Sequence, residues 1–461
     1  MNDFFAAVES IVGSSQLLTA ANDVARYDSD GRGAGSGASG VIRPGSAAEV
    51  AAVLEAGFMH GVSIVPQGAR TGLSGAGTAQ GGLLLSLERL ARTPLIDSVN
   101  RTAEVDAGVL LSSLNAAAAQ HRLTFPIDLG ADPSIGGMIA ANTGGARFLR
   151  YGDVRRNLLA VEVALSDGRG TLVQLGRNVW KDNGGLELKQ LFASSSGSMG
   201  VITRATLALQ PLPSTRLTAL VSLSEASVAL ALLVEMERQA GALLTAFEGI
   251  SHNAFNLAFA HVPNLQRPFE TSPPYAVLIE LSGGDGLSAE QMTDIIALVV
   301  QPFIESGAVV DVAIDLGDRL WRIRHALTEG LRAEGTVIAC DIAVPRSVLM
   351  KFREEATREI AMRWPALMIA DFGHVGDGGL HFNMVWPYTA GRLPDDLPAI
   401  VQSYVFERAV RGYGGTFSAE HGVGPRNFDH YVRFTPESVR SLATKVQKAI
   451  APVPLGRVNF G

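Results

Sequence analysis

The 461-residue sequence contains a single cysteine, Cys340. That excludes an intrachain disulfide and fits a reducing compartment. Positive charge is not in surplus: 38 Lys and Arg stand against 45 Asp and Glu, a formal net charge of −7. With no basic block to release counterions from a phosphate backbone, nucleic acid is not an expected partner. No run of about eighteen apolar residues is present to span a bilayer. The opening "MNDFFAAVES" lacks the basic start and apolar stretch of a secretory signal, so the expected address is cytoplasmic. Charged residues make up 18% of the chain and hydrophobic ones 47%. A chain of this length buries more than one core, with roughly two to four domains expected.

Glycine, by contrast, is abundant, at 50 residues, and it clusters. "VIRPGSAAEVAAVLEAGFMHG" reads as a short strand and then a helix opened by Ser46 with Glu49 three residues on, a capping-box pattern. The strand "VSIVP" runs into a first glycine loop, "QGARTGLSGAGTAQGG". "GLLLSLERL" is a strand, and "RTAEVDAGVLLSSLNAAAAQHRL" a strand followed by a helix. A second loop follows, "FPIDLGADPSIGGMIAANTGGARFLRYG". A hairpin is expected at Asp167-Gly168 between "LLAVEVALS" and "GTLVQL". The third cluster, "FASSSGSMG", precedes the strand "VITRATLALQ".

Two close prolines in "QPLPST" end helix and ladder alike and mark a boundary. Beyond it, strands "LTALVSL", "ALLTAFEGI", "YAVLIELSG" and "AVVDVAI" alternate with a helix near residues 225–240 and another capped by Ser288 and Gln291. This is an α+β pattern, a sheet covered by helices. The expected division is 1–212, 213–415 and a C-terminal segment 416–461, mostly helical after Pro436, that returns to the first domain.

"GSGASG", Gly35 to Gly40, is a formal match to the dinucleotide fingerprint, but it leads into a strand. The fingerprint must open a helix, whose first amides carry the pyrophosphate, so this run is read as a flexible loop. "PQGARTGLSG" is better placed after an apolar strand: Gly68, Gly72 and Gly75 let backbone amides approach a phosphate with no β-carbon in the way. On its own it also reads as a surface loop. Three such loops, each beside a strand, favour one extended phosphate-bearing ligand.

A different chemistry is concentrated in "GHVGDGGLHFN", residues 373–383, where two histidines and an aspartate are held open by four glycines. The strand "ALMIADF" enters the turn and "LHFNMVW" leaves it, so the imidazoles of His374 and His381 can converge. Two imidazoles alone make a weak metal site, and either histidine also reads as an ordinary hydrogen-bonded residue. A third, anionic ligand makes a good divalent site, and "SAEHGVG" supplies Glu420 with His421 beside it.

In order, "VIRPGSAAEV", "PQGARTGLSG", "FPIDLG...SIGGMIAANTGGARFLRYGDVRRNLLAVEVALSDG", "DNGGLELKQLF", "GSMGVITRATLALQPLP", "GHVGDGGLHFN" and "SAEHGVG" resemble the FAD-dependent D-2-hydroxy-acid dehydrogenases over nearly the whole chain. That group includes enzymes acting on D-2-hydroxyglutarate and D-lactate, within the vanillyl-alcohol-oxidase-type flavoproteins. The resemblance implies an α+β protein with a two-lobed FAD-binding domain, a substrate domain with an antiparallel sheet, and a short C-terminal helical segment. It implies that Pro66, Gly68, Arg70, Thr71, Gly72, Leu73 and Ser74 hold the pyrophosphate of FAD. Pro133, Ser134, Gly136, Gly137, Asn142, Gly144 and Gly145 would line the isoalloxazine and ribityl side, and Gly197 and Ile202 would meet the adenine half. Ala69 stands where the family has glycine, and Ser196 where it has glutamate. Some flavoproteins of this type attach the cofactor through a loop histidine. Here His60 and His121 fall at helix ends, and residues 122–251 hold no histidine, so dissociable FAD is expected.

The same resemblance makes His374, His381 and Glu420 ligands of a divalent metal, zinc first, with manganese or iron as alternatives. It makes His421 the catalytic base, with Arg324, Thr328 and Asn383 at the substrate. Arg324, in "LWRIRHAL", would pair with the substrate carboxylate; without the resemblance it reads as an exposed helix arginine. Ala339 stands where dicarboxylate-using relatives carry lysine, which suggests a pocket end suited to an uncharged group. The expected reaction is oxidation of a D-2-hydroxy acid to the 2-oxo acid, with hydride passing to flavin N5. The expected partners are the small hydroxy acid, an electron acceptor such as an electron-transfer flavoprotein or a quinone, and a second copy of the chain as a homodimer. Two alternatives are a flavin-dependent sugar or polyol oxidase, whose reduced flavin reacts fast with oxygen, and a metal-dependent hydrolase, which is colourless.

Overall fold

The computed structural model describes residues 1–35 and 37–460; Ser36, within the GSGASG run, and Gly461, at the end of the C-terminal segment, lie outside the described residues. The chain divides into two compact units. One comprises Met1–Gly144, Gly152–Leu212 and Glu420–Gly461; the other comprises Gly145–Tyr151 and Pro213–Ala419. No helix among the described residues is long and apolar enough to cross a membrane.

Among the described residues the first unit holds two larger sheets and two short two-stranded ones. In the four-stranded one, Gly40–Ile42, Leu83–Ser86 and Ile64–Gln67 run parallel, with Leu17–Leu18 antiparallel at the edge. Parallel strands are covered on both faces, and Val41, Ile42, Ile64, Val65 and Leu83 to Leu85 are all buried. The helix Ala47–Met59 links the first and third of these strands in sequence. Ser46 caps it by accepting the Glu49 N–H, while the Glu49 carboxylate reaches Gly45 N–H (2.8 Å), one residue beyond the capping-box partner. The five-stranded sheet is antiparallel throughout. It includes the hairpin of Leu158–Leu165 and Leu172–Gly176, whose turn has Gly168 at φ 86° and the Asp167 carboxylate accepting Arg169 N–H. The helix Glu437–Ile450 follows Pro436, and Ala451 and Leu455 beyond it join this unit's core.

The second unit is built on an eight-stranded antiparallel sheet. Its central strands, Leu244–Ser251 and Tyr275–Gly283, are buried almost end to end. The helices His252–His261 and Arg319–Glu334 bury Phe255, Leu320, Trp321 and Leu327 against Ile250, Leu278 and Phe372 of the sheet. Ser288 and Gln291 form a complete capping box on the helix Ala289–Glu305.

Each central strand carries one glutamate in an otherwise mostly apolar run, Glu248 and Glu280, and both are 1% exposed. Their register, with Ala246 opposite Glu280, puts both carboxylates on the same face of the sheet. An ionised carboxylate there must be paired and hydrogen-bonded. Glu280 receives both Arg147 Nε and Nη2 (2.7 and 3.0 Å), the Trp321 indole N–H (2.9 Å) and the Thr245 hydroxyl (2.7 Å). Burial alone would raise its pKa; the arginine and the hydroxyl outweigh burial and hold it below the usual carboxylate range.

Arg147→Ala strands the Glu280 charge, and removing one partner of a buried pair costs about 3–5 kcal/mol. Urea unfolding is expected to show that loss at neutral pH. Because the folded-state pKa is depressed, the pair's contribution is present above the ordinary carboxylate pKa and lost as pH falls through the lowered value. The gap between wild type and Arg147→Ala should therefore narrow in acid; a gap independent of pH contradicts the ionic role.

Candidate active site

In the first unit the three glycine loops meet. A Cβ on Gly68 would collide with Ser134 Oγ, and a Cβ on Gly197 would lie 3.6 Å from the Pro66 ring. Ser194 and Ser196 donate their N–H groups to Ile139 and Ala140 (3.1 and 2.9 Å). Arg70, Asn142, Ser194 and Ser196, with φ of 63°, 52°, 67° and 51°, are four of the seven non-glycine residues with positive φ among the described residues. Such strained backbone gathers at functional sites.

Across Gly68 to Ser74, no backbone N–H donates to an acceptor among the described residues. Seven successive amides without a protein partner form the kind of concavity that binds an anion. This donor set fits a pyrophosphate. Pro133 and Ser134 precede the short helix Ile135–Ala141, with Ser134 accepting Gly137 N–H and Asn142 closing it in the left-handed conformation. Two of the expected residues also pack against the unit's core. Gly136 is a packing glycine whose Cβ would lie 2.7 Å from Ala107 Cβ, and Ile202, 4% exposed, belongs to the core. Gly145 begins the segment that clusters with the second unit, whereas Gly144 stays in the first.

In the second unit the glycine turn behaves as a hairpin end. Phe372–Gly373 pairs with Gly379–Pro387 through Phe372 opposite His381. Gly373 sits at φ 126°, where a Cβ would come within 3.0 Å of the His381 ring. The His374 carbonyl accepts the N–H groups of Asp377 and Gly379 (3.1 and 3.0 Å). The two imidazoles lie edge to face with centroids 5.0 Å apart. The strand Gly335–Ala343 pairs with Gly379–Pro387 so that Ala339 faces Asn383 and Asp341 faces His381. With a period of two, these four residues share one face, and Cys340 and Phe382 turn to the other.

Asp341, which the sequence reading missed, places Oδ1 3.7 Å from His381 Nδ1. Ala419 N–H bonds to the Asp341 carbonyl (3.3 Å), and Glu420 and His421 follow it in the chain. His374 lies in the second unit as well. It is buried, with Nδ1 2.8 Å from Glu248 Oε1. The other Glu248 oxygen accepts Arg324 Nε at 2.7 Å, and the Arg324 guanidinium lies 4.7 Å above the Phe372 ring. Thr328, one turn along the same helix, is exposed. Burial would raise the Glu248 pKa, but the neighbouring His374 and Arg324 outweigh it and hold the carboxyl at about 2. Glu248 was also missed, although a lone glutamate in the apolar run "LTAFEGI" was the available signal.

Comparison with known proteins identifies the family. Residues 38–176 match the FAD binding domain family, and residues 212–452 match the C-terminal domain of FAD-linked oxidases. The D-2-hydroxyglutarate dehydrogenase of Xanthomonas citri pv. viticola is 34% identical over 83% of this chain and 80% of its own length. That of Stutzerimonas stutzeri is 30% identical over 98% and 97%. The fold of p-cresol methylhydroxylase with substrate bound aligns with a TM-score of 0.76 at 15% identity, over 98% of this chain and 94% of that one. The fold is thus the α+β, FAD-binding fold of the vanillyl-alcohol-oxidase type, and the chain belongs to the FAD-linked oxidases. Within them it is an FAD-dependent oxidoreductase of the D-2-hydroxy-acid dehydrogenase family.

Purified protein should be yellow, and acid precipitation should release all the flavin to the supernatant as FAD. Flavin remaining in the pellet would show a covalent link and contradict the expectation drawn from the histidine-free stretch.

Proposed function

We propose that the protein oxidises a D-2-hydroxy acid to the 2-oxo acid, assisted by a divalent metal and using non-covalent FAD, at a cytoplasmic address. The observation that carries this is the approach of the His374 and His381 rings to 5.0 Å, with Asp341 Oδ1 3.7 Å from His381 Nδ1, in a chain whose relatives are named D-2-hydroxyglutarate dehydrogenase. Imidazole and carboxylate together suit zinc, with manganese or iron as alternatives.

In this proposal His374, His381 and Glu420 hold the metal, and the Asp341 carboxylate supports the His381 ring, as outer carboxylates commonly do. When bound, a divalent ion would supply a Lewis acid that lowers the pKa of the substrate hydroxyl, and FAD would supply the two-electron acceptor. His421 takes the hydroxyl proton, since a neutral imidazole nitrogen can accept one as a general base. Arg324 pairs with the substrate carboxylate: its Nε is engaged by Glu248, while its terminal nitrogens have no hydrogen bond among the described residues. Thr328 and Asn383 complete the substrate contacts. Electrons pass on to an acceptor such as an electron-transfer flavoprotein or a quinone, and the assembly is a homodimer. A colourless hydrolase is disfavoured by the FAD-binding family match; a sugar or polyol oxidase predicts fast reoxidation of reduced flavin by air.

His381→Ala should lose metal and substrate-dependent flavin reduction while keeping FAD, because the loops of the first unit are untouched. His421→Ala should keep the metal and lose turnover on the order of 10²–10⁴-fold. Metal and activity retained in His381→Ala would remove the site.

On substrate, Ala339 offers no cation to a second carboxylate, and an unpaired buried carboxylate costs several kcal/mol. Comparing kcat/KM for D-lactate, D-2-hydroxybutyrate, D-malate and D-2-hydroxyglutarate should favour the monocarboxylates, and Ala339→Lys should shift preference toward the dicarboxylates. A clear lead for D-2-hydroxyglutarate in the wild type refutes this preference, though not the reaction.

A further inference from the structure

Glu248 belongs neither to the proposed metal ligands nor to the residues assigned to substrate. It is 1% exposed, and its two oxygens are shared out, Oε1 to His374 Nδ1 at 2.8 Å and Oε2 to Arg324 Nε at 2.7 Å. The strand that carries it is buried along its length and pairs with Phe372–Gly373 through Gly249 opposite Gly373, so the carboxylate sits one residue from the ladder that leads into His374. Arg324 is held from a second side by the Phe372 ring, 4.7 Å away, and Phe372 is itself opposite His381.

Resting on the function proposed above, we infer that Glu248 is a positioning residue that fixes the metal ligand His374 and the substrate-binding Arg324 with one buried carboxylate. A carboxylate at Nδ1 leaves Nε2 as the nitrogen with which the ring ligates a metal, and it fixes the ring's orientation. The same carboxylate, taking Arg324 side-on through Nε, leaves the end of the guanidinium, with its paired N–H groups, to meet a carboxylate. Because both partners share one anion, metal affinity and substrate affinity depend on a single side chain that touches neither ligand.

Glu280 provides the control. It is equally buried, on the same sheet face, and bonded to the same helix through Trp321, but its other partners are Arg147 and Thr245. The experiment compares FAD-loaded wild type, Glu248→Gln, Glu248→Asp and Glu280→Gln. Zn²⁺ affinity is read by equilibrium dialysis, and kcat and KM are read with whichever of D-lactate or D-2-hydroxyglutarate the wild type turns over faster. Glu248→Gln is expected to weaken Zn²⁺ binding by about 10 to 100-fold and to raise KM by roughly tenfold, the mark of lost binding common to ground and transition states. Glu248→Asp keeps the charge, so it folds even if Glu248→Gln does not. It is one methylene too short to hold both partners and should lose at least one of the two affinities. Glu280→Gln should lose stability but keep wild-type Zn²⁺ affinity and KM. Wild-type values for both quantities in Glu248→Asp, or in a folded Glu248→Gln, overturn the inference; so do equal losses in Glu280→Gln. If the wild type binds no Zn²⁺, the metal reading is what fails. KM then decides the inference through Arg324, and an unchanged KM in the Glu248 variants overturns it.

Discussion

Two ionised carboxylates on one face of a buried sheet set the terms for the second unit. Burying a charge without a partner is far more costly than any single apolar contact is favourable, so the elements covering that face have to bring cations and donors to defined points. The helix Arg319–Glu334 supplies one to each glutamate, Trp321 to Glu280 and Arg324 to Glu248. Residues three apart lie on one helical face, so the i, i+3 spacing of Trp321 and Arg324 lets one face serve both. Once those contacts are made, the helix can neither slide nor rotate without uncovering a charge. Thr328, four residues beyond Arg324, is placed by the same constraint.

The face that carries candidate chemistry follows from strand register. Ala339 and Asp341 alternate with Cys340, and His381 and Asn383 alternate with Phe382. A slip of one residue would send Asp341 and His381 into the core and bring Cys340 and Phe382 to the site. The apolar residues therefore guard the polar ones: Phe382 and Cys340, 0% and 1% exposed, hold the register because their burial is worth more than the slipped alternative. The chain's one cysteine is placed by the same register. Its side chain faces the packed side of the strand pair.

The parts legible in the sequence were those written locally. Asp167-Gly168 between two apolar runs gave a hairpin, Ser288 with Gln291 a capped helix, and His374 and His381 around a glycine turn an approach of two imidazoles; each depends on residues a few positions apart. Three features were not local. Glu248 reads as an interruption of a strand until the distant partners Arg324 and His374 are known. Asp341 becomes visible only through its pairing with His381, forty residues on. The excursion of Gly145–Tyr151 into the second unit depends on Arg147 finding Glu280, and nothing near Arg147 in sequence announces that partner.

The loops of the first unit obey a different rule from the sheet of the second. There the polar groups are backbone amides, and their direction is fixed by φ and ψ rather than by side-chain partners. Arg70, Asn142, Ser194 and Ser196 all occupy the left-handed region, at a cost of about 1–3 kcal/mol each for a residue with a β-carbon. Such a cost persists only where neighbouring contacts over-determine the conformation. At Ser196 these are visible: its N–H donates to Ala140, and its hydroxyl donates to the Val423 carbonyl at 2.6 Å. At Asn142 the side chain bonds Asp153 and accepts the Arg155 N–H. The loops are therefore shaped in advance by contacts within their own unit. A set of amides already aimed at an anion has less conformational entropy left to lose when the anion arrives.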